Sequence, residues 1–347
     1  MALLPRSVTA RIPAVDAEAL SALFRQGTPA NTLRAQGRDL VYVSAWKQAA
    51  FGAPLAWPES EAVALRFVLH HAEDLTDRPG PAQDAARALI GLGLRRALTA
   101  PAPATLDRRI ASWQAFHRMR NLVSPFSAPL VQEARRKARR AMARPRVPKS
   151  PRPITRAVLE RLLAGCDDSC RGIRDRAILT LAFASGGRRR AEIAALDRAD
   201  VDLSEFAARG LIWLRLHSTK TTGPGQAPRL PLKGPAARAL VHWIETARIG
   251  AGPLFRPVSR ADRPLARGLA PDALRVILRH RLARAGLPED YATPHGLRAG
   301  FLTQAALDGA PLAAAMQLSL HRSAVQAQRY YADVEIAENP ATDLLGD

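Results

Sequence analysis

Two cysteines and five lysines are all that these 347 residues contain of either type. Cys166 and Cys170 cannot staple a chain of this length, and a lone C-x3-C without a second ligand pair makes a poor zinc site, so they read as reduced thiols near a helix. No run of about 18 apolar residues is present, which excludes a transmembrane helix. The opening MALLPRSVTARIPAVDAEAL lacks a charged stretch followed by an apolar one, so no secretory signal is visible. There is no G-x-x-x-x-G-K-[ST], and no G-x-G-x-x-G after a strand, which leaves a nucleotide-driven motor and a Rossmann dehydrogenase unsupported. No basic amphipathic helix with an exposed apolar face argues for a membrane surface. A cytoplasmic, nucleoid-associated location is expected.

Arginine is what the chain has in abundance. It supplies 46 of the 51 basic residues, which face 31 acidic ones for a formal charge of +20. The isoelectric point is near 11.3. Apolar residues make up 47%, enough to bury a core, so this is not a disordered basic tail. The length suggests two domains. Such a charge fits a polyanion, with nucleic acid first; part of the arginine excess can equally reflect background composition.

The charge is uneven. Residues 101–150 carry 12 basic and two acidic side chains, half of the whole excess, whereas residues 301–347 carry two basic and six acidic ones. A polyanion should therefore meet the middle of the chain, and the C-terminal tail should face something else. Within the basic block, VQEARRKARR reads as a helix presenting Arg135, Arg136, Lys137, Arg139 and Arg140. Pro145, Pro148, Pro151 and Pro153 then forbid helix and favour an extended strap.

These signals divide the chain into an unassigned extension at 1–30, a helical domain at 31–144, a basic Pro-rich linker at 145–153, a second domain at 154–335 and an acidic tail at 336–347. The expected fold is mainly α with a small β-sheet: a helical bundle, then an α+β domain, closing on DNA as a C-shaped clamp. Asn31 or Thr32 is placed as cap of the first helix, and 60–75 and 103–122 as further helices. Leu106, Ile110, Trp113 and Phe116 form an apolar stripe read as core. Residues 76–102 remain unplaced. In the second domain Thr155 caps a helix, LIWLRLHS and APRLPL flank a turn-rich tip as a hairpin, and helix runs with little interruption from 295 to about 338. Arg34, Arg108, Arg109, Arg118, Arg135, Arg136, Arg139, Arg140 and Lys149 are the candidate DNA contacts.

Five spots beyond the linker carry chemistry. ASGGRRRAEIAAL (184–196) puts an Arg triplet between two helices, where guanidinium forks and free N–H groups make an anion site. Lys220 sits at the hairpin tip, and a lysine kept among so many arginines suggests a need for a titratable ammonium. His295 and Arg298 lie three apart on one helix face, a base held beside a cation. His321 follows, and Tyr330 comes nine residues later beside Tyr331. A tyrosine needs a base and a cationic pocket to act as nucleophile.

In order and spacing, this set closely resembles the tyrosine recombinases of the phage integrase family. With Glu192 set on the family's acidic position, the resemblance implies Arg189 as the first catalytic arginine, Lys220 as the hairpin lysine, His295 and Arg298 as the H-x-x-R pair, His321 as the second histidine and Tyr330 as nucleophile, with Tyr331 the nearby alternative. The chain departs from the family's G-H-x-S at Leu320. The resemblance implies cleavage and rejoining of double-stranded DNA at a specific site through a 3′-phosphotyrosyl link, by a dimer to tetramer on DNA. It implies no cofactor: neither ATP nor metal. Two readings compete: a catalytically silent DNA-binding accessory factor, and a type IB topoisomerase-like relaxing enzyme.

Overall fold

The computed structural model describes residues 13–145, 148–216 and 228–337. These are mostly helical, with one three-stranded antiparallel sheet. The chain divides into two compact units, 1–146 and 147–347.

The described part of the first unit is all helix: α1 Ala14–Gly27, α2 Ala30–Phe51, α3 Glu61–Ala72, α4 Pro81–Gly91, α5 Pro103–Arg118 and α6 Pro129–Ala141. The stripe Leu106, Ile110, Trp113 and Phe116 is buried, as its helical spacing predicts. Trp46 meets Phe67 edge-on at 4.8 Å between ring centroids, and Trp113 meets Phe126 at 5.1 Å. These aromatics are core. The start of α2 differs from expectation. It opens at Ala30, and the N–H groups of Thr32 and Leu33 bond to the Pro29 carbonyl, so Asn31 and Thr32 lie inside the first turn rather than capping it. Two stretches that periodicity left unplaced hold helices. The extension forms α1, which buries none of its residues, and 76–102 contains α4, begun by Pro81 in its first turn.

The second unit is built on α7 Arg156–Ala164, α8 Cys170–Ala184, α9 Arg190–Ala194, α10 Phe206–Arg209, α11 Gly234–Thr246 and α12 Ala273–Arg284, followed by α13 His295–Leu307, α14 Leu312–Ser319 and α15 Ala324–Ala337. Ile178, Leu181, Leu240, Trp243 and Phe255 form its centre. Asp175 is buried with Arg174 and Arg281 at 2.7 Å each, which neutralises part of the charge these arginines bring inside. Strands β1 Val201–Asp202, β2 Ile212–Arg215 and β3 Arg229–Leu232 are ordered β1-β2-β3. The two predicted strand runs are β2 and β3, paired Ile212 to Leu232 and Arg215 to Arg229. The tip between them, with Lys220, lies outside the described residues, as do 338–347 of the acidic tail.

Two further differences concern the site. The helical stretch expected to run with little interruption from 295 to about 338 is cut twice. Gly309 at φ 68° and Pro311 break it first, and Leu320 at φ 55° breaks it again. The segment predicted as an extended Pro-rich linker is in part fixed to α13. Ser150 Oγ accepts from the Thr293 N–H, Thr293 Oγ1 donates to the Lys149 carbonyl, and the Ile154 N–H donates to the Gly296 carbonyl. Gly296 and Gly300 leave the room: a Cβ on Gly300 would lie 1.8 Å from the Ile154 carbonyl oxygen.

Candidate active site

The Arg triplet splits three ways because each residue meets a different wall. α8 ends at Ala184, and Gly186 and Gly187 follow at φ 88° and 68°. A Cβ on Gly187 would lie 2.2 Å from the Arg298 Cα, so glycine there lets the turn press against α13. Arg188 then points inward, Arg190 pairs outward with Asp272 at 2.7 Å, and Arg189 becomes the residue before α9. The R-x-x-E spacing has a local cause. Glu192, third in the helix, reaches back to accept from the Arg189 N–H at 3.2 Å and from its Nη1 at 2.8 Å. Sequence reasoning used Glu192 only to fix register; the structure shows it holding the guanidinium.

α13 starts right after Pro294, and one turn brings His295 and Arg298 to one face. Arg298 is buried. Its Nη1 donates to the Gly187 carbonyl at 3.3 Å and its Nη2 to the Ser319 carbonyl at 2.6 Å. The His321 ring lies alongside, its Nε2 3.3 Å from the Arg298 Nε. Ser319 Oγ is 2.8 Å from the His321 Nδ1, a positioning contact that no sequence signal announced. Tyr330 Oη is 3.1 Å from the His295 Nε2. Tyr331 turns the other way: it is buried with Leu302 and Ala315, and its hydroxyl donates to the Ala310 carbonyl at 3.1 Å.

Cations crowd this site, with Glu192 the acid among them. Burial, then Lys149, Arg298 and Arg189, pull His295 down to about 4. Burial, then Arg298, Arg189 and Arg188, do the same to His321. Both imidazoles are therefore neutral at pH 7. Burial, with Arg188 and Arg189, lowers Arg298 to about 10. Burial raises the Tyr330 phenol against the opposing pull of Arg298. An anion entering here meets preformed positive charge, and the phenol meets a neutral base.

The structure thus brings Arg189, His295, Arg298, His321 and Tyr330 into one site, while Lys220 lies outside the described residues. Lys149 is exposed, with its backbone tied to Thr293 two residues before His295. The other candidate DNA contacts lie on the first unit. Arg34, Arg118, Arg136, Arg139 and Arg140 are exposed. Arg34 also bonds Asn31, and Arg136 pairs with Glu133. Arg108 pairs with buried Asp39, and Arg135 and Arg139 share Asp107. Arg109 is half-buried over the Tyr42 ring, 3.3 Å from its centroid. Among the described residues no group of His, Cys, Asp and Glu is placed to hold a metal ion, and no helix is long and apolar enough to cross a membrane.

The known proteins that this chain is similar to are recombinases and integrases. The chain is 30% identical over 184 residues to an integrase/recombinase xerD homolog of Selenomonas ruminantium, covering 52% of this chain and 53% of the relative. It is 32% identical over 201 residues to the tyrosine recombinase XerD of Xanthomonas campestris, covering 54% and 57%. In both matches the chain spans little more than half of the relative's length. A third relative, XerD of Ralstonia nicotianae, is 28% identical over 315 residues, covering 88% and 85%. The fold resembles the Tn1549 transposon integrase in complex with transposon right end DNA, at TM-score 0.54 and 16% identity over 92% of this chain and 97% of that one. It also resembles a lambda integrase dimer bound to a COC' core site, at TM-score 0.53 and 16% identity over 89% and 74%. The phage integrase family matches residues 152–336, the stretch that carries Arg189, His295, Arg298, His321 and Tyr330, and the chain belongs to that family.

Proposed function

We propose that the protein is a site-specific DNA recombinase that cleaves and rejoins double-stranded DNA through a 3′-phosphotyrosyl link. The observation that carries this reading is the Tyr330 hydroxyl 3.1 Å from a neutral His295, beside the buried guanidinium of Arg298. A phosphodiester placed there would have its nonbridging oxygens held by Arg189 and Arg298, whose charge meets the charge that builds up at phosphorus. The Tyr330 oxygen attacks phosphorus and His295 Nε2 takes its proton. His321 donates to a nonbridging oxygen. The bond from phosphorus to the 5′-oxygen breaks, and Lys220 protonates the leaving 5′-hydroxyl. The new phosphotyrosyl ester keeps the bond energy, and a 5′-hydroxyl from a partner strand reverses the steps. Neither ATP nor metal enters this scheme.

The exposed arginines of α5 and α6, with Lys149, would hold the flanking phosphates. Exchange between two sites calls for several protomers on DNA, dimer to tetramer, and the acidic residues after α15 are suited to protein rather than DNA. The test is a nicked suicide substrate incubated in EDTA. A covalent protein–DNA adduct is expected, and it should vanish in Tyr330→Phe while gel-shift binding persists. Binding without any adduct from the parent chain would favour a silent accessory factor.

A further inference from the structure

Arg188 is a buried arginine beside the site that this scheme does not use. Its side chain is 1% exposed, and its Nη2 donates to the Leu318 carbonyl at 2.8 Å. Leu318 ends α14 with Ser319, where helix carbonyls have no partner within the helix. Arg298 takes the Ser319 carbonyl and Arg188 the one before it, so two guanidinium groups cap this helix end. The next residue, Leu320, stands at φ 55°, ψ 39°, a left-handed conformation that a branched side chain adopts only at a cost. His321 follows directly. Gly186 brings the Arg188 loop close: a Cβ there would lie 2.3 Å from the Leu318 carbonyl oxygen.

We propose that Arg188 is a positioning residue for His321, holding the left-handed turn at Leu320 by capping the end of α14. The turn fixes where the imidazole stands against Arg298 and Ser319 Oγ. Without the cap, Leu320 relaxes toward an ordinary backbone conformation and His321 swings with it. Glycine at 320 needs no such support, because it adopts the left-handed region freely. The inference rests on the recombinase reading for its catalytic consequence, but not for its structural one.

A double-variant cycle of Arg188→Leu and Leu320→Gly tests it with two readouts. In single-turnover adduct formation, Arg188→Leu should slow the reaction roughly a hundredfold, the scale of a misplaced catalytic group, with DNA affinity unchanged. Adding Leu320→Gly should recover most of that rate. In the DNA-free protein, Arg188→Leu should shift the His321 imidazole resonance, and Leu320→Gly should return it toward the parent position. The missing charge stays missing in the double variant, so only restored geometry explains such a return. If the double variant stays as slow and as shifted as Arg188→Leu, the proposal is wrong. If the parent forms no adduct yet the resonance cycle holds, the recombinase reading fails and this one stands. Should Arg188→Leu not fold, Arg188→Met also removes the donor to the Leu318 carbonyl while keeping a long side chain, and the same cycle applies.

Discussion

Tyr330 and Tyr331 are neighbours whose hydroxyls meet different partners. One faces an imidazole and the other a backbone carbonyl inside a small apolar cluster. Helix geometry does this, since consecutive residues diverge by about 100° around the axis. Burial and the neighbouring cations together set how the histidines titrate. Burial first, then Arg298 and Arg189, and for His295 also Lys149, depress His295 and His321, and a bound phosphodiester would cancel part of the cations' field. Both pKa values should therefore rise on DNA binding. Imidazole titration by NMR in Tyr330→Phe, with and without a DNA site, checks this, and unchanged values would mean that the phosphate sits elsewhere. At this scale Arg189, His295, Arg298, His321 and Tyr330 were legible because chemistry fixes residue type and spacing, while Lys220 lies outside the described residues. Ser319 was not legible, because a serine at a helix end looks like any other, and Glu192 gave the register but not its hold on the Arg189 guanidinium. Arg109 shows the converse. Its sequence context suggests phosphate, whereas its guanidinium lies on Tyr42.

Among the elements, α13 matters most. Its face toward the strap is cleared by Gly296 and Gly300, and the strap in turn sets Lys149 beside the helix start. Gly300→Ala should cost about 1–3 kcal/mol through overpacking and lower the melting temperature, because its Cβ cannot coexist with the Ile154 carbonyl. An unchanged melt would show that the strap is not held there. The periodic helices and the hairpin strands were readable from spacing alone. The cuts at Gly309 and Leu320 were harder, since nothing about a leucine signals a left-handed turn. The linker was read as an extended strap because prolines exclude helix, yet prolines say nothing about docking. Three buried histidines of the first unit also give a pH signature. Burial lowers His70, His71 and His117 below the usual 6.5, so each binds a proton more readily unfolded than folded. Their contribution is present above that value and lost as pH falls through it. Melting curves from neutral to mildly acid pH should show the first unit weakening below about 6.5, and a flat profile would contradict their neutral burial.

For the whole molecule the governing quantity is charge, +20 in total with half of the excess in residues 101–150. Much of that block is already paired: Asp107 and Glu133 hold Arg135, Arg136 and Arg139. Surface pairs of this kind are weak, and phosphates compete for the same guanidinium groups. Replacing Arg136, Arg139 and Arg140 by Gln should therefore weaken DNA binding across all sequences. The slope of log K against log salt should flatten by about 0.9 for each phosphate that the variant no longer neutralises, and an unaltered slope would remove α6 from the interface. The central claim remains the chemistry at one tyrosine. It is tested most directly by trapping the covalent adduct on a nicked suicide substrate with the parent chain, Tyr330→Phe and Tyr331→Phe. The account predicts an adduct from the parent and from any folded Tyr331→Phe, and none from Tyr330→Phe. An adduct that survives in Tyr330→Phe and disappears in a folded Tyr331→Phe would contradict it.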